Sequence, residues 1–262
     1  MKTRANGIEV YYEIHGEAGA PWLVLSHSLA CSVRMWDPQI AALKDQYRIL
    51  AYDTRGHGAS GAPKGAYTLE LLADDLHFLL GELKIAKAHF CGLSMGGMIG
   101  QSFAIMYPGA LRSLTLADTT SRYPAEAWPL WQERIATVEA KGMAPLAQPT
   151  LERWFTEPFR DSNPAAVNAV RALILATPVS GYAGCCNAIP KINLTARLRE
   201  IKCPILVIVG EQDPGTPPSM AREIHENAPG SELVVLPRAA HLANLEQPEA
   251  FTRALRKFLS SN

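Results

Sequence analysis

The sequence predicts an α/β chain, a mostly parallel sheet with helices on both faces and a helical cap inserted after the sixth strand. Three observations carry that expectation. Short β-branched and apolar runs recur with helical stretches between them, a Gly-x-Ser-x-Gly pentapeptide joins one such run to a helix, and strand signals stop over one central region.

In chain order, the alternating segment 8–14 (Ile-Glu-Val-Tyr-Tyr-Glu-Ile) reads as an antiparallel edge hairpin closing near Gly16. Strands follow at 22–26, 47–52, 88–91, 111–117, 205–209 and 233–236. Between them, residues 69–80 return apolar side chains every three and four positions, as an amphipathic helix does, and 248–259 repeats the pattern as the terminal helix. From about 121 to 193 the chain consists of Pro-punctuated helical pieces. Trp128, Trp131, Met143, Trp154, Phe155, Phe159 and Tyr182 there supply surface for roofing a pocket or for the cap's own core. The expected division is a core of 1–120 and 194–262 and a cap of 121–193.

Composition narrows the function. The 262 residues carry 25 Lys+Arg and 25 Asp+Glu, a formal net charge of zero, so no basic field favours nucleic acid or an anionic membrane. A small neutral or singly anionic substrate fits better. No apolar run approaches the roughly 18 residues of a membrane span, and residues 1–7 lack the apolar core of a signal peptide, so a cytoplasmic location is expected. Five scattered cysteines without Cys-x-x-Cys spacing read as buried reduced thiols, and the histidines show no metal-ligand spacing. No Gly-Lys-Ser/Thr follows a glycine-rich turn, so there is no phosphate loop, and neither metal nor cofactor is expected. Oligomeric state is left open, a homo-oligomer included.

The pentapeptide Gly92-Leu93-Ser94-Met95-Gly96 reads as a nucleophile elbow. Such a strand-to-helix turn strains the serine, and flanking glycines keep Cβ atoms away from the crowded backbone. It also aims the Met95 N–H and the positive end of the next helix at a developing oxyanion. A serine hydroxyl is a poor nucleophile at neutral pH and needs a base, which in turn needs an orienting acid. The chain order to expect is Ser, acid, His. Asp213 follows strand 205–209 and His241 lies in the loop before the terminal helix, so Ser94, Asp213 and His241 are expected to arrive from the ends of three neighbouring elements. Asp118, at the end of strand 111–117, is a competing acid. The loop after strand 22–26 should supply a second oxyanion donor, the Leu29 N–H, with Ser28 able either to hydrogen-bond in the pocket or to shape the turn. Asp53 and Arg55, in the turn Asp53-Thr54-Arg55-Gly56-His57-Gly58, are expected to lock loops near the site.

These residues resemble the α/β-hydrolase superfamily over essentially the full length. The strings Met35-Trp36-Asp37-Pro38-Gln39, His89-Phe90-Cys91-Gly92-Leu93-Ser94-Met95-Gly96-Gly97 and Gly181-Tyr182-Ala183-Gly184-Cys185-Cys186 narrow the resemblance to 3-oxoadipate enol-lactonases. The elbow is common to many hydrolases, whereas the cap string with paired cysteines is narrower. His27 and Ala30 depart from the Asn and Gly of a Ser-Asn-Ser-Leu-Gly oxyanion loop. The resemblance implies opening of a lactone that carries a carboxylate, through an acyl-enzyme and without a cofactor, in bacterial aromatic catabolism by the β-ketoadipate route. Arg122, Arg134, Arg153 and Arg171 are candidate carboxylate partners, and Trp128 or Trp154 could supply an indole N–H. The rival expectations are a carboxylesterase, a perhydrolase or a C–C bond hydrolase on the same fold, or a ligand receptor with little turnover.

Overall fold

The computed structural model describes residues 1–262. Eight strands form one sheet: β1 (Lys2–Ala5), β2 (Ile8–His15), β3 (Trp22–Ser26), β4 (Arg48–Tyr52), β5 (Ala88–Leu93), β6 (Leu111–Ala117), β7 (Ile205–Gly210) and β8 (Glu232–Leu236). Their order is β1-β2-β4-β3-β5-β6-β7-β8. Strands β1 and β2 pair antiparallel, as do β2 and β4, and every later pair is parallel.

The edge hairpin closes at Asn6-Gly7, not near Gly16. Asn6 (φ 45°) and Gly7 (φ 79°) both take positive φ, as a two-residue hairpin turn matched to strand twist requires. Lys2–Ala5 thereby pairs with Ile8–Tyr11 in tight register. Gly16 ends β2 instead. A Cβ there would lie 2.2 Å from the Tyr47 carbonyl oxygen, so only glycine lets the chain turn away at that point.

Helices before the sixth strand are α1 (Asp37–Leu43), α2 (Leu69–Glu82) and α3 (Met95–Met106). The Thr68 side chain caps α2 by accepting from the Leu71 N–H. Between β6 and β7 run α4 (Trp128–Lys141), α5 (Ala144–Trp154), α6 (Glu157–Ser162), α7 (Pro164–Ala176) and α8 (Val179–Ala188). The chain returns with α9 (Pro218–Asn227), α10 (Ala243–Glu246) and α11 (Pro248–Ser260). No single helix is long and apolar enough to cross a membrane.

Alternation along the central strands builds a core on each face. Leu23, Leu25, Ile49, Cys91 and Leu93 point to the layer containing Trp36 and Phe251, which continues into α4–α8. Val24, Leu50, Phe90 and Leu116 point to the layer closed by Leu76, Leu79 and Phe103. Because β4 lies to one side of β3 and β5 to the other, the connections leaving β3 and β5 diverge, opening a crevice at their carboxyl ends. The register Ser26↔Gly92 brings the loop after β3 beside the turn after β5.

Candidate active site

Ser94 joins β5 to α3 with φ 56° and ψ −115°, a conformation that L-residues rarely adopt. It is held there by its own N–H to Ala117 O (2.8 Å) and by Thr119 Oγ1 and the Met98 N–H donating to its carbonyl (2.7 and 3.1 Å). The glycines are sterically compelled: a Cβ at Gly92 would meet Gly96 O at 2.2 Å, and one at Gly96 would meet Ser26 O at 2.1 Å. Met95 opens α3, where an amide has no intrahelical acceptor.

The loop after β3 approaches from the other side of the crevice. Its amides are used one by one: Ser28 N–H to Met35 Sδ, Ala30 N–H to His57 Nε2 and Cys31 N–H to Ser28 O. That leaves the Leu29 N–H without a protein acceptor. Two buried imidazoles brace the loop. His27 Nδ1 faces Ser28 O (2.7 Å) while its Nε2 accepts from Thr54 N–H (2.9 Å); His57 Nδ1 faces Arg55 O (3.2 Å) while its Nε2 accepts from Ala30 N–H (2.9 Å). Each ring therefore has one donor and one acceptor partner, the pattern of a neutral imidazole. Burial pushes His27 down to about 4 and His57 to about 3, the positive charge of a protonated neighbour adding to the effect at His57. His57 is the residue that sequence reasoning undervalues. Its signal is the Asp53-to-Gly58 turn, where Asp53 receives the Val33 and Ala59 N–H groups and Arg55 clamps Asp75 at 2.6 Å.

His241 and Asp213 meet directly, Nδ1 to Oδ2 at 2.8 Å. Asp213 also receives the Thr216 hydroxyl on Oδ2 (2.6 Å) and the Gly215 and Thr216 N–H groups on Oδ1 (2.8 and 3.1 Å). Burial alone would raise this carboxyl, but His241 and the Thr216 donors hold it below its ordinary value. Asp118 does not touch His241. Its Oδ1 accepts from the Gly210 N–H at 2.7 Å, and burial together with the Asp213 charge pushes it well above the usual carboxylate range.

Ser94 and His241 line one cavity of about 220 Å³, roofed by residues from α4, α5, α7 and α8. Ser28 lines it too, with a fully buried hydroxyl that has no protein partner. Trp154 forms part of the wall, its ring centroid 5.9 Å from that of His241. Trp128 does not line the cavity. The facing positions are Ala127, which caps α4, and 130, 131 and 134 on it, a single helical stripe, and Trp128 lies about 100° around the helix from Ala127, stacked under Lys191 Nζ at 5.3 Å. Trp131 occupies the place anticipated for Trp128.

Of the four candidate arginines the fold brings two into the cavity, Arg134 and Arg153. Arg122 instead pairs with Glu223 at 2.7 Å, and Arg171 donates to Gln148 on the surface. Neither cavity arginine has a carboxylate partner. Arg134 stacks on Trp131 (4.6 Å) and Arg153 donates only to Thr150 Oγ1. Burial and then the neighbouring Arg134 charge push Arg153 below the usual guanidinium range. No three His, Cys, Asp or Glu side chains cluster in a way that could hold a metal ion.

This combination of strand-end elbow, crevice and helical roof defines a class. The family described as alpha/beta hydrolase fold matches residues 21–248, and the chain belongs to it and is a hydrolase. Within that class it is similar to 3-oxoadipate enol-lactonase 2 of Acinetobacter baylyi, 38% identical over 96% of this chain and 93% of that one. It is also similar to the crystal structure of the enol-lactonase from Burkholderia xenovorans LB400, with TM-score 0.96, 40% identity and coverage of 99% and 100%. A putative carbamate hydrolase RutD from Agrobacterium fabrum is 31% identical over 95% of this chain and 98% of that one.

Proposed function

We propose that the chain opens the enol-lactone of 3-oxoadipate with water, giving 3-oxoadipate, and so serves the β-ketoadipate route of aromatic catabolism. The observation that carries this reading is the pair of carboxylate-free arginines, Arg134 and Arg153, in the cavity that Ser94 and His241 share. An apolar pocket with two unneutralised guanidiniums favours a small substrate bearing a carboxylate over a neutral ester or carbamate. The names of the enol-lactonase relatives agree with that chemistry.

In the proposed reaction His241 takes the Ser94 proton as Oγ attacks the lactone carbonyl, and Asp213 stabilises the imidazolium that results. The tetrahedral oxyanion is received by the Leu29 and Met95 N–H groups. Collapse breaks the ring C–O bond. The departing oxygen is an enolate that takes the proton held by the His241 imidazolium and becomes the ketone, so it leaves more readily than an alkoxide and returns His241 to its neutral form. Water, deprotonated by His241, then attacks the acyl-enzyme, releasing the second carboxylate and restoring the Ser94 hydroxyl. Ser28 Oγ and the Trp154 indole are proposed to contact the bound lactone, and the two guanidiniums to hold its carboxylate.

Steady-state hydrolysis of freshly generated enol-lactone, compared with p-nitrophenyl acetate, tests this. The expected kcat/KM for the lactone lies in the usual enzyme range of about 10⁴–10⁸ M⁻¹s⁻¹, well above that for the ester. Fast ester cleavage with a sluggish lactone would place the chain among general esterases, and inactivity toward both would favour a receptor.

A further inference from the structure

Among the buried groups that the proposed chemistry leaves unused is Glu246, the last residue of α10. The residue is only 7% exposed, and no arginine or lysine forms an ion pair with it. What it does instead is join two segments remote in sequence. Oε1 accepts the Thr156 N–H at 2.6 Å, while Oε2 accepts the Thr156 hydroxyl at 3.2 Å and the Ala240 N–H at 3.3 Å. Thr156 lies between α5 and α6 in the roof, and Ala240 immediately precedes His241. Immediately after His241 in the chain, the Leu242 N–H donates to Trp154 O at 3.1 Å. The roof junction 154–156 is thus bonded to both chain neighbours of His241. Arg160 completes the junction by donating to Phe155 O at 2.5 Å.

We infer that Glu246 is a positioning residue, holding the α5 wall of the cavity, with Arg153 and Trp154, in register with His241. The inference rests on the proposed roles of His241 and the cavity arginines. Its physical basis is the accounting at a buried carboxylate: full charge is tolerated there because donors from both segments satisfy it, so the segments cannot separate without stranding the charge. Burial raises the Glu246 carboxyl above its ordinary value, and the Thr156 and Ala240 donors, with the Arg160 charge, offset part of that rise.

Two substitutions cut the staple from opposite ends. Glu246→Gln keeps the shape but turns an NH₂ toward donors. Thr156→Pro removes both the N–H and the hydroxyl, and the backbone accepts it, since Thr156 has φ −62° and the preceding Phe155 is extended (φ −128°, ψ 141°). The full-length variants are to be compared with wild type using p-nitrophenyl acetate and its carboxylate-bearing counterpart, mono-p-nitrophenyl succinate, with amide hydrogen exchange followed over 151–156 and 239–245. The expected result is a loss of about tenfold in kcat/KM for the succinate ester in each variant, with acetate changed less than about threefold. The double variant should be no worse than the poorer single one. Exchange over 239–245 should accelerate in Thr156→Pro although the change lies in the roof. An unaltered succinate-to-acetate ratio in variants that fold, or losses that multiply in the double variant, would overturn the inference. Should wild type treat both esters alike, the carboxylate reading of the cavity fails, and the staple is decided by exchange alone: unchanged protection over 239–245 in Thr156→Pro refutes it.

Discussion

Asp213 and Asp118 are both buried carboxyls at strand ends, and their hydrogen bonds separate them. Asp213 meets His241 Nδ1 and three donors from Gly215 and Thr216, so it holds its negative charge in the interior. Asp118 accepts from Gly210 on one oxygen, has no partner on the other, and is pushed toward its neutral form. Asp213→Asn is accordingly expected to lower turnover by about 10⁴, because an amide can no longer fix the tautomer that leaves Nε2 free. Asp118→Asn should cost less than about tenfold in the same assay, and the reverse ranking would transfer the acid's role. Ser94→Ala should remove turnover by several orders of magnitude while leaving thermal unfolding cooperative; a variant that kept half its activity would end the nucleophile assignment. All three residues are visible in the sequence because each is announced locally, by a glycine-flanked turn or by the exit from an apolar run. Their direct contacts are not, since the Asp213–His241 bond joins residues 28 apart through the packing of β7 and β8.

The loop after β3 and the turn after β4 act as one element through His27 and His57. Both rings are wedged between one donor and one acceptor, so a second proton would face the Thr54 or Ala30 N–H. Their folded values, about 4 and about 3, lie below the unfolded value of 6.5. From pH 6.5 downward the unfolded chain therefore binds protons that the folded chain refuses, and stability from these groups falls as pH falls toward 3. For His27 the loss is on the order of 3 kcal/mol across that window. Asp118, raised by burial, acts in the opposite sense, so the effect is best read by difference. His57→Leu should be less stable than wild type by about 1–3 kcal/mol at pH 7, the cost of an orphaned Ala30 N–H, and the gap should narrow as pH drops to 4. Equilibrium denaturation at several pH values checks this, and a constant gap would mean that His57 protonates freely in the folded state. Legibility is uneven at this scale. The Asp-x-Arg-Gly-His-Gly turn is plain in the sequence, yet what His57 accepts depends on the register of β3 against β4. The hairpin turn is misplaced to Gly16 because β1 is too short and polar to show alternation, although Asn6-Gly7 carries the stronger turn signal. Trp128 is likewise favoured over Trp131 because composition names a helix's aromatic residues without its rotation.

Across the whole molecule Lys+Arg and Asp+Glu balance at 25 each, so no long-range field draws an anion toward the crevice. Any preference for a carboxylate must then arise locally, from Arg134 on α4 and Arg153 on α5, two helices that pack against each other. Burial lowers Arg153 first and repulsion from Arg134 lowers it further, and a bound carboxylate would relieve that repulsion while gaining charge-assisted hydrogen bonds. Losing one such interaction costs about 1.5–3 kcal/mol, roughly a 10- to 150-fold change. Arg153→Met is expected to raise KM for the lactone by about that factor with kcat less affected, because in the proposed reaction the carboxylate takes no part in the bonds made and broken. Arg134→Met should do the same, and p-nitrophenyl acetate, which has no carboxylate, should be nearly indifferent to either change. Repulsion relieved in the single variants makes the pair non-additive: the first removal also frees the remaining guanidinium from its neighbour. The double variant is the sharper test. With net charge near zero and no other cation lining the cavity, it should lose the preference for charged over neutral esters altogether. Retention of even a tenfold preference would mean that the carboxylate is recognised by neutral donors such as Ser28 Oγ or the Trp154 indole, and the arginines would then be left with a structural part in joining the two helices.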